Sequence, residues 1–145
     1  MRVQLPSILA NQLYAHARAD FPNECCGLMI GKISADTVDI SEIHPSENLT
    51  SHSPSKIFEV DPKLRFDLMR ATQSRNDGTD IVGHYHSHPN GPAEPSATDL
   101  SMAYEPQMIW LICGLDKKNN TSLGAFRPFA DRSAFETLEL VIESA

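Results

Sequence analysis

The histidines of this chain are concentrated, with His84, His86 and His88 falling within five residues in Gly83-His84-Tyr85-His86-Ser87-His88-Pro89. Eleven positions beyond the last lies Asp99, in Pro95-Ser96-Ala97-Thr98-Asp99. Imidazole nitrogen and carboxylate oxygen are the ligands zinc takes outside thiolate sites, and a catalytic zinc needs only three, which leaves a fourth position for water. On an extended strand alternate side chains share a face, so the three imidazoles can point the same way. The first chemistry these residues suggest is metal-assisted hydrolysis.

Taken singly, each piece has a plainer reading. A His-x-His pair arises readily by chance in a chain with six histidines. Ser96 followed three residues later by Asp99, at the start of a helix, is a capping-box-like pattern that needs no metal. Glu24, after Phe21-Pro22-Asn23, reads as a solvated carboxylate at an element boundary. Cys25 and Cys26 offer a thiol nucleophile, but free cysteines are more often buried packing residues. His16, His44 and His52 have no motif around them and read as surface residues.

The elements that would hold these groups follow from periodicity. Leu5, Ile8, Leu9, Leu13, His16 and Ala17 recur at helical spacing, and Pro22 stops that helix by Phe21. Residues 26–31 form a short apolar run bounded by glycine, most simply a buried strand, and 37–43 alternate as a half-buried strand. Residues 44–55 read as a surface loop and 56–60 as a short strand. Asp61-Pro62 is an N-cap with proline at the first helical position, opening a helix to about residue 75 with Leu64, Leu68 and Ala71 on its buried face. Asn76-Asp77-Gly78 ends it. Residues 81–87 return to strand, 89–95 form a loop, Ser96 begins another helix, and 108–113 make an apolar central strand. Residues 123–126 and 135–142 finish the chain, the last open between helix and strand. The mixture predicts an α/β or α+β sheet domain.

Composition bounds the rest. At 145 residues, with 41% apolar and 21% charged side chains, the chain is expected to form one domain over 1–145. A net charge of −7 argues against nucleic acid or an anionic membrane surface as partner. No apolar run reaches the roughly 18 residues that span a bilayer, and the N-terminus lacks a signal-peptide pattern, so a cytoplasmic location is the expectation. Three cysteines, two of them adjacent, are not a disulfide framework.

Two separated segments change the weight of the pieces. Glu24-Cys25-Cys26-Gly27-Leu28-Met29-Ile30-Gly31, then His86-Ser87-His88-Pro89, six residues, Ser96, two residues and Asp99, resembles the JAMM (MPN-plus) metallopeptidase family in its small stand-alone prokaryotic form. The pattern there is a glutamate shortly before a Cys-Gly step, then His-x-His-Pro, six residues, Ser-x-x-Asp. The resemblance implies a curved, mainly β-sheet domain with flanking helices, of JAMM/MPN (cytidine-deaminase-like) architecture, and it makes the last segment a strand. It implies one zinc ion on His86, His88 and Asp99, with Glu24 as general base and then acid, and Ser96 as oxyanion donor. His84 is left as a same-face neighbour that supports the ligands, lines the substrate groove or does neither. The implied substrate is a peptide or isopeptide bond at the C-terminus of a small ubiquitin-like or sulfur-carrier protein. With only six residues between Pro89 and Ser96, no ubiquitin-gripping insertion is expected there.

Two other readings stay open at this stage: a non-catalytic scaffold of the same fold, and a zinc amidohydrolase for a small molecule. The zinc-deaminase pattern of His-x-Glu with a downstream Pro-Cys-x-x-Cys is absent from the sequence. The oligomeric state is not legible.

Overall fold

The strand that carries the histidine cluster lies between an antiparallel and a parallel neighbour, and that placement organises the molecule. The computed structural model describes residues 1–144. Seven strands, β1 (Arg2–Pro6), β2 (Cys26–Ile33), β3 (Thr37–Ser46), β4 (Asp80–Pro89), β5 (Ile109–Leu115), β6 (Thr121–Pro128) and β7 (Phe135–Glu143), alternate with helices α1 (Ser7–Asp20), α2 (Pro62–Arg75) and α3 (Ala97–Ser101). The sheet order is β1-β3-β2-β4-β5-β6-β7, and β1 pairs with both β3 and β7, so the curved sheet closes on itself. This is the sheet-dominated α+β architecture that the resemblance implies.

Period-two alternation divides β4 and β5 between two cores. Tyr85 on β4 and Ile109, Leu111, Cys113 and Leu115 on β5 join the main core, with Ala10, Leu13 and Ala17 of α1. Trp110 and Ile112 belong to a second cluster with Cys26, Phe58, Ala103 and Phe126. His86, between Tyr85 and Ser87 and paired with Ile112, shares that second face. The Cys-Gly step has a steric reason: a Cβ at Gly27 would collide with the Tyr85 ring, whose hydroxyl meets His16 Nδ1 at 2.9 Å. Gly83 is as restrictive, since a Cβ there would overlap the Ile109 carbonyl oxygen. Gly83→Ala should destabilise the protein by about 3 kcal/mol, read as a lower midpoint in urea unfolding, because the obstacle is backbone and cannot rotate away.

Four expectations need correction. Leu5 is not in the first helix but in β1; five residues hold as a strand because β3 and β7 flank them, and helix α1 starts at Ser7 with Ile8 exposed. Strand β3 runs on to Ser46, beyond the expected start of the loop. Residues 56–60 form no strand; the Asn48 side chain takes over their backbone bonds, donating to the Ile57 carbonyl at 3.0 Å and accepting from the Glu59 amide at 2.9 Å. On α2, Asp61 caps as expected and Leu68 is buried over Leu28 and Ile30, but Thr72 joins it inside while Ala71 is only half-buried. The last strand, β7, is the strand the resemblance implies. Among the described residues no helix is long and apolar enough to cross a membrane.

Candidate functional site

Parallel neighbours cannot be joined by a tight hairpin and need a crossover. β4 and β5 are such a pair. The crossover between them carries Ser96 and Asp99 back over the end of β4. Ser96 caps α3: its hydroxyl accepts from the Asp99 amide at 3.0 Å, while its own amide donates to Asp99 Oδ2 at 2.9 Å. The capping box is therefore present, and it aims the Asp99 carboxylate at the strand. Asp99 Oδ1 lies 3.3 Å from His86 Nε2, and Oδ2 lies 3.0 Å from His88 Nε2. The two Nε2 atoms are 3.1 Å apart. Two imidazoles and a carboxylate thus converge on one point from a strand and a helix start.

That convergence asks for a cation. His88 Nδ1 lies 3.1 Å from the Pro92 carbonyl, a contact only an N–H can make favourable, which leaves the Nε2 lone pair facing inward in the neutral ring. His86 Nδ1 makes no bond that sets its tautomer, and where its Nε2 also presents a lone pair, the two nitrogens and the carboxylate repel unless a proton or a metal ion stands among them. Donors at tetrahedral-zinc distance lie about 3.3 Å from one another, so the observed 3.0–3.3 Å fits such an ion. A carboxylate oxygen of Glu24 and one ring nitrogen from each of His86 and His88 all lie within 4.8 Å of one another, making Glu24 a looser fourth member. Asp99 makes the shorter contacts to the two histidines. Glu24 lines an open cleft of ≈ 310 Å³ with Ser55, Lys56, His88, Pro89, Gly91, Ser96 and Thr98.

The electrostatics separate the carboxylates. Burial pushes Glu24 up to about 7, despite His88, and its Oε1 has no hydrogen-bond partner among the described residues. Asp99 is also buried, but the His86 and His88 hydrogen bonds outweigh burial and hold its carboxyl well below the usual range. Burial lowers His86. At His88 burial works the same way, yet the Asp99 hydrogen bond and charge overcome it and raise the pKa. Burial pushes the Cys25, Cys26 and Cys113 thiols up to about 12, so none supplies a thiolate near neutrality.

His84 does not join the convergence. Its ring packs edge-on to Trp110 at 4.3 Å and lies 5.6 Å from Phe58. Its Nδ1 is sealed without a partner, and burial pushes its pKa down to about 3. Of the other histidines, His16 contacts Asp20 as well as Tyr85, His44 meets Glu42, and His52 is exposed.

Three contributors escape sequence reasoning. Ser87 turns away from the histidines, is fully buried, and accepts the Cys25 amide at 2.8 Å while its own amide reaches the Cys25 carbonyl at 3.1 Å. This pair of hydrogen bonds fixes the residue next to Glu24. Its signal in the sequence is a small hydroxyl at a strand position that alternation turns inward. The other two, Asn48 and Phe58, lie in a loop where no period applies.

A curved, closed sheet with a converging imidazole pair, one buried and one lining an open cleft, and two electrically different carboxylates defines an α+β protein with a candidate hydrolytic metal centre. Residues 6–127 match the prokaryotic homologs of the JAB domain, and the chain belongs to that family, the small prokaryotic branch of the JAMM/MPN proteins. It is 36% identical to a desampylase of Haloferax volcanii over 119 residues, 79% of this chain and 82% of that one. It is 29% identical to a CysO-cysteine peptidase of Mycobacterium tuberculosis over 119 residues, 82% of this chain and 77% of that one. The solution structure of a protein from Desulfitobacterium hafniense superposes with a TM-score of 0.81 at 30% identity, covering 100% of this chain and 94% of that one.

Proposed function

We propose that this JAB-family hydrolase is a zinc-dependent peptidase or isopeptidase cutting at the C-terminus of a small ubiquitin-like or sulfur-carrier protein, with residues 1–145 acting as one catalytic domain. The observation that carries the reading is the convergence of His86 Nε2, His88 Nε2 and the Asp99 carboxylate, with Glu24 on the cleft side. The relatives support the substrate class, one being a desampylase and the other a CysO-cysteine peptidase.

His86, His88 and Asp99 would hold the ion. A zinc ion held there would supply Lewis acidity, lowering the pKa of a water from about 15.7 toward 7 and polarising a carbonyl. Glu24 takes the proton of the attacking water at a carboxylate oxygen and delivers it to the departing amine, so that hydroxyl ends on the acyl carbon and hydrogen on the nitrogen. Burial raises the Glu24 carboxyl, which favours the acid that returns the proton, while a dication beside it would favour the carboxylate that takes it. The Ser96 hydroxyl accepts from the Asp99 amide through a lone pair, which leaves its hydrogen free to donate to the carbonyl oxygen as charge develops there.

Ser96→Ala should lower kcat about 10²-fold with zinc retained. The amide of residue 96 survives the change and still holds Asp99, while loss of the cap removes about 1 kcal/mol of stability. Steady-state kinetics with zinc quantification check this, and an unchanged kcat would remove Ser96 from the mechanism.

The substrate class is tested by incubating the zinc-loaded protein with the sulfur-carrier proteins of its own source and following their masses. Loss or release of C-terminal residues is expected, and unchanged masses for every carrier would overturn the assignment.

A further inference from the structure

Of the three proposed ligands, two have a hydrogen-bonded support and one does not. The Ser96 amide holds Asp99, and the Pro92 carbonyl holds His88 through Nδ1. His86 Nδ1 is buried with no hydrogen-bond partner among the described residues. Imidazoles that bind metals are ordinarily oriented by a hydrogen bond from the second ring nitrogen. Here the ring is fixed by faces and edges instead. Phe58 stacks on His86 with centroids 4.3 Å apart and planes at 18°, and Trp110 stands edge-on at 5.5 Å and 84°.

Phe58 needs a support of its own, because it lies on no helix or strand. One amide provides it from both sides: Asn48 bonds the carbonyl before Phe58 and the amide after it. The Leu49 amide adds a bond to the Glu59 carbonyl at 2.9 Å. The same Asn48 Nδ2 also donates to the Glu24 carbonyl at 3.3 Å. A single side chain therefore links the backbone of the proposed base to the ring that covers a proposed ligand.

We propose that Phe58, clamped by Asn48, is a positioning residue for His86, its ring plane replacing the absent hydrogen bond in aiming Nε2 at His88 and Asp99. The inference rests on the zinc-centre reading above. It predicts that the shape of residue 58 sets metal affinity. Leucine fills much of the volume but offers no plane, whereas tyrosine keeps the plane.

Zinc affinity is measured by competition with a chromophoric chelator on the native chain, Phe58→Leu, Phe58→Tyr and Asn48→Ala, with thermal unfolding of each chelator-treated protein as the folding control. Phe58→Leu should weaken zinc about 10- to 100-fold, the range for loss of a ligand's outer support. Phe58→Tyr should restore native affinity, and Asn48→Ala should fall between. A Phe58→Leu protein that binds zinc as tightly as the native chain overturns the proposal. Should Phe58→Leu not fold, Asn48→Ala decides, with weakened zinc supporting the clamp and native affinity overturning it. A native chain that takes up no zinc sinks the metal-centre reading itself, an outcome distinct from tight binding in every variant.

Discussion

Glu24→Gln should keep zinc bound and lower kcat by about 10⁴-fold, the upper end of what a general acid–base group contributes, because in the proposed mechanism one carboxyl serves both halves of the proton transfer. The amide matches the carboxyl in size but neither accepts nor returns the proton at neutral pH. The expectation of retained zinc follows from distance. Asp99 approaches both Nε2 atoms to 3.0–3.3 Å, while Glu24 joins the two histidines only within 4.8 Å. Folding should be little affected, because the change replaces a buried carboxyl whose Oε1 is already unpaired. Metal content and single-turnover kinetics on the same preparation separate the outcomes. Turnover at the native rate would end the general-base assignment. Loss of zinc together with activity would instead make Glu24 a ligand and transfer the proton chemistry to another group.

Residue type and spacing alone leave the centre open, and it is the resemblance to the paired family motifs that singles out Glu24, His86, His88, Ser96 and Asp99 among the candidates. Imidazoles two apart on a strand must share a face, and an acid three residues into a helix must face its cap. The capping reading and the metal reading of Ser96 and Asp99 prove compatible, since the cap is what turns the carboxylate toward His86 and His88. What the sequence hid is non-local. β1 pairs with β7 through Arg2 and Glu139 to Pro6 and Glu143, a contact between the two ends of the chain that no window of residues reveals. Residues 56–60 had the composition of a strand, but Asn48 captured their backbone first. Phe58 and Trp110 carry no signal of their own in the sequence, and only the fold brings both rings against His86. His84 shows the limit of the alternation rule: it shares a face with His86, yet its ring packs on Trp110 behind the convergence.

Asp99→Ala should abolish stoichiometric zinc binding and, with it, all measurable cleavage. The substitution removes the only charged partner in direct contact with the two imidazoles among the described residues, and it leaves nitrogens 3.1 Å apart with only the more distant Glu24 carboxylate, within 4.8 Å, to hold a dication beside them. It also removes the acceptor for the Ser96 amide, so the capping box loses half its bonds and α3 about 1 kcal/mol. Thermal unfolding distinguishes loss of the site from loss of the fold. A ligand at about 1,000 times its dissociation constant stabilises the native state by about 4 kcal/mol. For a chain of this size that shifts the midpoint by on the order of 10 °C. The native protein should lose that increment on treatment with a chelator and recover it with zinc, and its activity should follow. Asp99→Ala should unfold near the chelator-treated native protein and respond to neither chelator nor zinc. A zinc-dependent rise in the midpoint of Asp99→Ala comparable to the native one would show that His86, His88 and Glu24 suffice to hold the ion, and the roles of the two carboxylates would have to be exchanged.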